Sequence, residues 1–133
     1  MPKILVIDDD ALVRASIVLL LMDAGYQVSS AENGALGMAV FRSEQPDLII
    51  TDIIMPEQEG IQTITEIRKD KSDAKIIAIS GGARVGHADF LKIALVLGAM
   101  ATISKPFDQD ELLTLVKDCL AGRARGGSPG HAA

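Results

Sequence analysis

Short apolar runs alternate with longer mixed stretches along this chain. Residues 4–7 are continuously apolar and end in Asp8, Asp9 and Asp10. An unbroken run of that length suits a strand covered on both faces, as in a parallel sheet. Residues 11–24 read as a helix closed by Gly25, because glycine readily adopts the left-handed backbone that ends helices. Residues 26–31 form a second, more polar strand, expected nearer a sheet edge. Asn33 and Gly34 open a helix that runs to about Glu44. A third strand starts at 48–50 and ends near Asp52 and Ile53, before Met55 and Pro56 break the chain. Ile61, Ile64 and Ile67 recur every three residues and mark a helix over 60–69. Residues 75–80 form the fourth strand, Gly81 and Gly82 a loop, 88–97 a helix stopped by Gly98, and 100–104 a short fifth strand stopped by Pro106. The last helix spans 108–120, with Asp108 as its N-cap and Glu111 three positions on.

Five β-α units in strict alternation predict an α/β fold: a five-stranded parallel sheet with right-handed crossovers and helices on both faces. At 133 residues the chain suits one domain, expected over 1–121. Residues 122–133 are rich in glycine and small residues and are expected to be a disordered tail. Composition is ordinary for a globular protein, 48% apolar and 23% charged. The net charge of -5 predicts no general attraction to nucleic acid or to an anionic membrane. The apolar run at 4–7 is too short for a signal peptide or a membrane span, so a cytoplasmic location is the expectation. Cys119 is the single cysteine, expected to be a buried helix thiol.

In open α/β sheets, ligands bind beyond the carboxyl ends of the strands. The residues just past those ends carry chemistry. Strand one supplies Asp8, Asp9 and Asp10, strand three Asp52, strand four Ser80 and strand five Lys105. Several carboxylates at one rim repel each other, and a hard divalent cation such as Mg2+ relieves that repulsion. An ammonium and a hydroxyl beside such a metal make a pocket for a phosphoryl group, in which an aspartate can act as nucleophile. Each residue has a plainer reading when taken alone. Asp10 reads as a helix cap, Ser80 as a turn residue, Lys105 as a solvated lysine. One chemical group at each strand end is the less accidental pattern.

The segments ILVIDDD, DLIITDIIMPEQEG, IIAIS and GAMATISKPF, in that order, resemble the receiver domains of two-component response regulators. The resemblance covers nearly the whole chain. It implies the flavodoxin-like (β/α)5 topology with strand order 2-1-3-4-5. It also implies a cytoplasmic switch that is not an enzyme in the ordinary sense, catalysing only its own phosphorylation and dephosphorylation. Carried over position by position, Asp52 matches the phosphoacceptor. Asp9, Asp52 and the carbonyl of Ile54 match direct Mg2+ ligands, and Asp8 matches the acid that holds the metal's water. Lys105 matches the lysine that pairs with the phosphoryl oxygens, after a cis bond to Pro106. Ser80 matches the hydroxyl that closes onto the phosphoryl group, with Gly81 beside it. The implied partners are a histidine kinase or histidine phosphotransfer protein as donor, and a downstream protein or a second copy as recipient of the signal.

Three features depart from the family pattern. Thr102 stands where the family usually has an aromatic ring that moves when the hydroxyl engages. Ser80 and Lys105 are a few residues further apart than usual, with the extra length expected over 81–86. Ile54 and Gly82 cannot hold an attacking water through their side chains, which predicts slow loss of a phosphoryl group. On the helix over 88–97, Leu91, Ala94, Leu95 and Gly98 are expected to face the sheet. Phe90, Ile93 and Leu97, with Val96 beside them, form a second apolar stripe expected to be a partner face.

Three other readings account for part of the pattern. A haloacid-dehalogenase-like phosphatase also uses an aspartate nucleophile, Mg2+, a hydroxyl and a lysine. However, Leu12 stands where its opening motif needs Thr or Val, and the segment around Asp52 is then unexplained. A degenerate receiver that only docks is disfavoured by the intact Asp9, Asp52, Ser80 and Lys105. A flavin-binding protein is disfavoured because no phosphate loop follows the first strand.

Overall fold

In a computed structural model of the chain, residues 1–53, 59–80, 92 and 94–122 are described. Strand β1 spans Lys3–Ile7, β2 Gln27–Ala31, β3 Leu48–Asp52, β4 Ile76–Ser80 and β5 Ala101–Ser104. Between and after them run α1 (Ala11–Asp23), α2 (Gly34–Glu44), α3 (Glu59–Asp70), α4 (described at 92 and 94–97) and α5 (Gln109–Leu120). All strand pairs are parallel and the order is β2-β1-β3-β4-β5. The expected fold class and strand order are therefore observed, with the polar β2 at an edge.

Side-chain alternation along the strands builds a core on each face of the sheet. Leu5, Ile7, Ile49, Ile76 and Ala78 pack with Met38 and Phe41 of α2, Ile64 and Ile67 of α3 and Ala94 of α4. Ile4, Val6, Leu48, Ile50, Ile77, Ile79, Ala101 and Ile103 pack on the other face with Ile17 and Leu21 of α1 and with Leu112, Leu115, Val116 and Cys119 of α5. Each fully buried aliphatic side chain contributes about 1.5–3 kcal/mol by leaving water. Double coverage explains why β3 and β4 are buried at every position. Cys119 is buried, as expected.

Local signals set the helix ends. The Asp10 carboxylate accepts from the N–H groups of Leu12 (3.0 Å) and Val13 (3.2 Å), so Asp10 is the N-cap of α1. Asn33 caps α2 through the Leu36 N–H, and Asp108 caps α5 through the Glu111 N–H. At the end of α1 the Tyr26 N–H donates to the Leu21 carbonyl and the Gly25 N–H to that of Met22, with Gly25 at φ 101°. That wrap holds Tyr26 in the helix exit, which is why β2 begins one residue later than the hydropathy pattern suggests. Gly98 (φ 118°) ends α4 in the same way, its N–H and that of Ala99 bonding to Leu95 and Ala94.

Candidate functional site

The sheet register assembles the site. Ile7 pairs with Thr51, so Asp8 and Asp52 each follow a paired residue on neighbouring strands. Asp52 pairs with Ile79, and Ser80 with Ser104, so Ser80 and Lys105 lie one step further along at the same rim. Backbone bonds hold that alignment past the strand ends. The Asp8 N–H donates to the Ala31 carbonyl (3.2 Å), that of Ile53 to Ile79 (2.9 Å) and that of Lys105 to Ser80 (2.7 Å).

Alternation then sorts the side chains by face. Asp8, Asp52 and Lys105 share the parity of the residues that face α1 and α5, and they converge. The Lys105 ammonium lies 2.9 Å from Asp52 Oδ2 and 3.1 Å from Asp8 Oδ2. Both carboxylates are buried, whereas Lys105 keeps about 20% of its side-chain surface in solvent. The peptide bond between Lys105 and Pro106 is cis, as the resemblance implies. Burial alone would lower the Lys105 pKa. The hydrogen bond and charge of Asp52, reinforced by Asp8, outweigh burial and raise it above the ordinary lysine value.

Asp9 is exposed beside this pair, and one carboxylate oxygen from each of Asp8, Asp9 and Asp52 lies within 4.8 Å of the others. Oxygen donors so spaced, two from buried acids, fit a hard divalent cation. Ser80 has the opposite parity, that of the residues facing α2, α3 and α4. Its hydroxyl is buried and has no hydrogen-bond partner among the described residues. Thr102 is buried on β5, opposite Ala78 and two residues before Ser104, the register partner of Ser80. It therefore shares a face with Ser80.

Ile54, Gly81, Gly82, Phe90, Leu91 and Ile93 lie outside the described residues, as do 123–133. Of the expected partner stripe, Val96 is 85% exposed, but Leu97 packs partly onto the core beside Ala94. Leu97 follows Ala94 by three residues and lies partly on the same inward side. Leu95 is only half-buried, not fully turned to the sheet. Two features were missed in the sequence. Lys105 binds Asp8 as well as Asp52, and Arg14 donates from Nη1 to the Asp8 carbonyl at 2.7 Å. The signal for the second was available: a cation one helical turn beyond the Asp10 cap can reach back over the loop.

This arrangement gathers three carboxylates and an ammonium at one rim of a doubly wound sheet, and known proteins are similar to the chain throughout. The family model of the response regulator receiver domain matches residues 4–117. The chemotaxis protein CheY of Bacillus subtilis is 35% identical over 119 residues, covering 89% of this chain and 97% of CheY. The crystal structure of a response regulator receiver domain protein from Clostridium thermocellum superposes with a TM-score of 0.85 at 28% identity, covering 92% of this chain and 96% of that one. That of TrrA from Thermotoga maritima, in complex with Mg2+-BeF, gives 0.78 at 36% identity, covering 90% and 99%. The chain belongs to the response regulator receiver domain family, the signalling switches of two-component systems. It spans only 58% and 47% of the length of two other curated relatives. Among the described residues, no helix is long and apolar enough to cross a membrane.

Proposed function

We propose that this receiver accepts a phosphoryl group on Asp52 from a phosphohistidine donor, with Mg2+ bound at the acidic rim. The observation that carries this reading is the meeting of Asp8, Asp9, Asp52 and the Lys105 ammonium at the strand ends, with the unpartnered Ser80 hydroxyl nearby. A buried hydroxyl without a partner is costly and awaits an acceptor. A phosphoryl oxygen on Asp52 supplies one.

An Asp52 carboxylate oxygen attacks phosphorus. The O–P bond forms, the P–N bond to the donor imidazole breaks, and the imidazole leaves with the electron pair and takes up a proton. Lys105 already sits on Asp52 Oδ2 and is placed to pair with the incoming phosphoryl oxygens. Ser80 donates its hydroxyl proton to one of them. Asp9 and Asp52, with the Ile54 carbonyl, would hold Mg2+ directly and Asp8 would hold it through water. When bound, Mg2+ neutralises the charge that gathers on the phosphoryl oxygens.

Docking surfaces sit on either side of this chemistry. A groove of about 610 Å3 between α1 and the residues after β5 is lined by Leu12, Val13, Ile17, Leu20 and Phe107, and reaches Lys105. Leu12 is 78% exposed at its edge. That apolar mouth beside the acceptor suits the helix of a histidine kinase or histidine phosphotransfer protein. The signal then passes to a downstream protein or a second copy through the surface that includes Val96.

Incubating the chain with acetyl phosphate and Mg2+, then measuring intact mass, tests the assignment. One phosphoryl group should add to the wild type and none to Asp52→Ala or after chelation. Equal labelling of Asp52→Ala would refute it, and continuous turnover of a generic phosphate ester would restore the phosphatase reading.

A further inference from the structure

The loop that carries the acidic rim is held by a chain of contacts that ends on α1. The Asp10 carboxylate caps Leu12 and Val13. The Asp10 N–H in turn donates to Asp8 Oδ1 at 2.9 Å, fixing one oxygen of Asp8 while the other faces Lys105. The half-buried Arg14 donates from Nη1 to the Asp8 carbonyl at 2.7 Å, while its own N–H bonds to the Asp10 carbonyl at 2.9 Å. A helix and a loop are thus tied at both ends of Asp8–Asp10. Asp9, the exposed acid between them, makes no side-chain hydrogen bond or ion pair among the described residues, so the loop sets where its carboxylate stands.

We infer that Arg14 is a positioning residue for the divalent cation: its bond to the Asp8 carbonyl holds the loop so that the Asp9 and Asp8 carboxylates stand together with Asp52. This rests on the reading that the rim binds Mg2+. The proposal has a sign that separates it from simple electrostatics. Arg14 is a cation close to a cation site, so its charge alone opposes the metal. If charge were all that mattered, neutralising Arg14 would tighten Mg2+ binding. If loop geometry matters more, neutralising it weakens binding, because the carboxylates must be gathered at the expense of loop entropy.

The test is Mg2+ titration by calorimetry on the full chain. Wild type should bind, and Asp9→Asn should bind far more weakly; failure here defeats the metal reading itself, and this inference with it, before any change at position 14. Arg14→Met should then bind Mg2+ roughly tenfold more weakly, the equivalent of losing one charge-assisted hydrogen bond. Arg14→Gln, neutral but polar, is read in the same way should the apolar side chain cost the fold. In metal-free protein the Asp10 amide, bonded to Asp8 Oδ1, should exchange faster in both variants. A residue that merely supports α1 would change the melting temperature without changing metal affinity in the folded state. Binding equal to or tighter than wild type in a folded neutral variant overturns the inference.

Discussion

Replacing Lys105 with methionine keeps the stem of the side chain and removes a cation that touches both buried acids. In the wild type the ammonium is 2.9 Å from Asp52 and 3.1 Å from Asp8. Without it, carboxylates whose oxygens lie within 4.8 Å of one another face each other unscreened. Two unit charges at about 5 Å repel by about 3 kcal/mol at an effective dielectric of about 20. Removing one partner of a buried ion pair typically costs about 3–5 kcal/mol. Lys105 is partly hydrated, which lowers that figure, so we expect a loss of about 2–4 kcal/mol in urea unfolding with chelator present. Saturating Mg2+ should recover much of the loss, because it binds the folded rim and supplies the missing positive charge. The sign with pH follows from the raised Lys105 pKa. A group held protonated above its unfolded value contributes fully below about pH 10.4 and loses its contribution as pH rises through the folded value. The wild-type advantage from Lys105 should therefore hold through neutral pH and fade only in alkali. If metal-free Lys105→Met matches wild type to within about 0.5 kcal/mol, a surface-like value, the ion-paired rim is not the electrostatic centre argued here.

The other predictions concern single side chains. Ser80→Ala removes an unpartnered buried hydroxyl, so stability should hold or rise by up to about 1 kcal/mol while acetyl phosphate labelling slows; a large loss of stability would show a hidden partner. Gly98→Ala puts a Cβ at φ 118°, 2.6 Å from Arg68 Nε, and should cost about 1–3 kcal/mol in the same unfolding assay. Val96→Asp should fold like wild type and lose partner binding or self-association, whereas Leu97→Asp should unfold the chain, because only 97 packs on the core. The phosphorylated form should lose its phosphoryl group slowly, with a half-life that shortens when Gly82 is replaced by a residue able to hold a water.

Much of the fold was legible because double burial writes itself as unbroken apolar runs. The runs at 4–7, 48–50 and 76–79 are the central strands β1, β3 and β4, each covered on both faces. The polar QVSSA of β2 signalled an edge, and an edge is where it lies. Boundaries slipped where backbone hydrogen bonds, not hydropathy, decide, as at Tyr26. In the candidate site, the residue types at strand ends were legible from spacing. Their pairing was not: that Lys105 reaches Asp8, and that Arg14 reaches the Asp8 carbonyl, depends on loop paths that no periodicity encodes. The partial burial of Leu97 was illegible for a related reason. A stripe at 90, 93 and 97 looks free on a helical wheel, but Ala94 marks the buried side, and 97 follows it by three.

The two parities at the rim give the proposed switch its logic. The acids and Lys105 lie on the α1–α5 side, where a donor would approach along the apolar groove. Ser80 and Thr102 lie on the side of α2, α3 and α4. In the proposed function a phosphoryl group on Asp52 would stand between the two, and engagement of the Ser80 hydroxyl is the expected link across the sheet. In this chain Thr102 is already buried before that happens. It has no large ring to bring inward, so its burial changes little on engagement. In the proposed switch the read-out is therefore expected at the described part of α4, where Ala94 is buried, Leu97 is partly buried and Val96 faces solvent. A displacement of α4 in that proposed switch would carry the exposed face of Val96 with it, because close-packed cores shift between discrete arrangements and do not deform continuously.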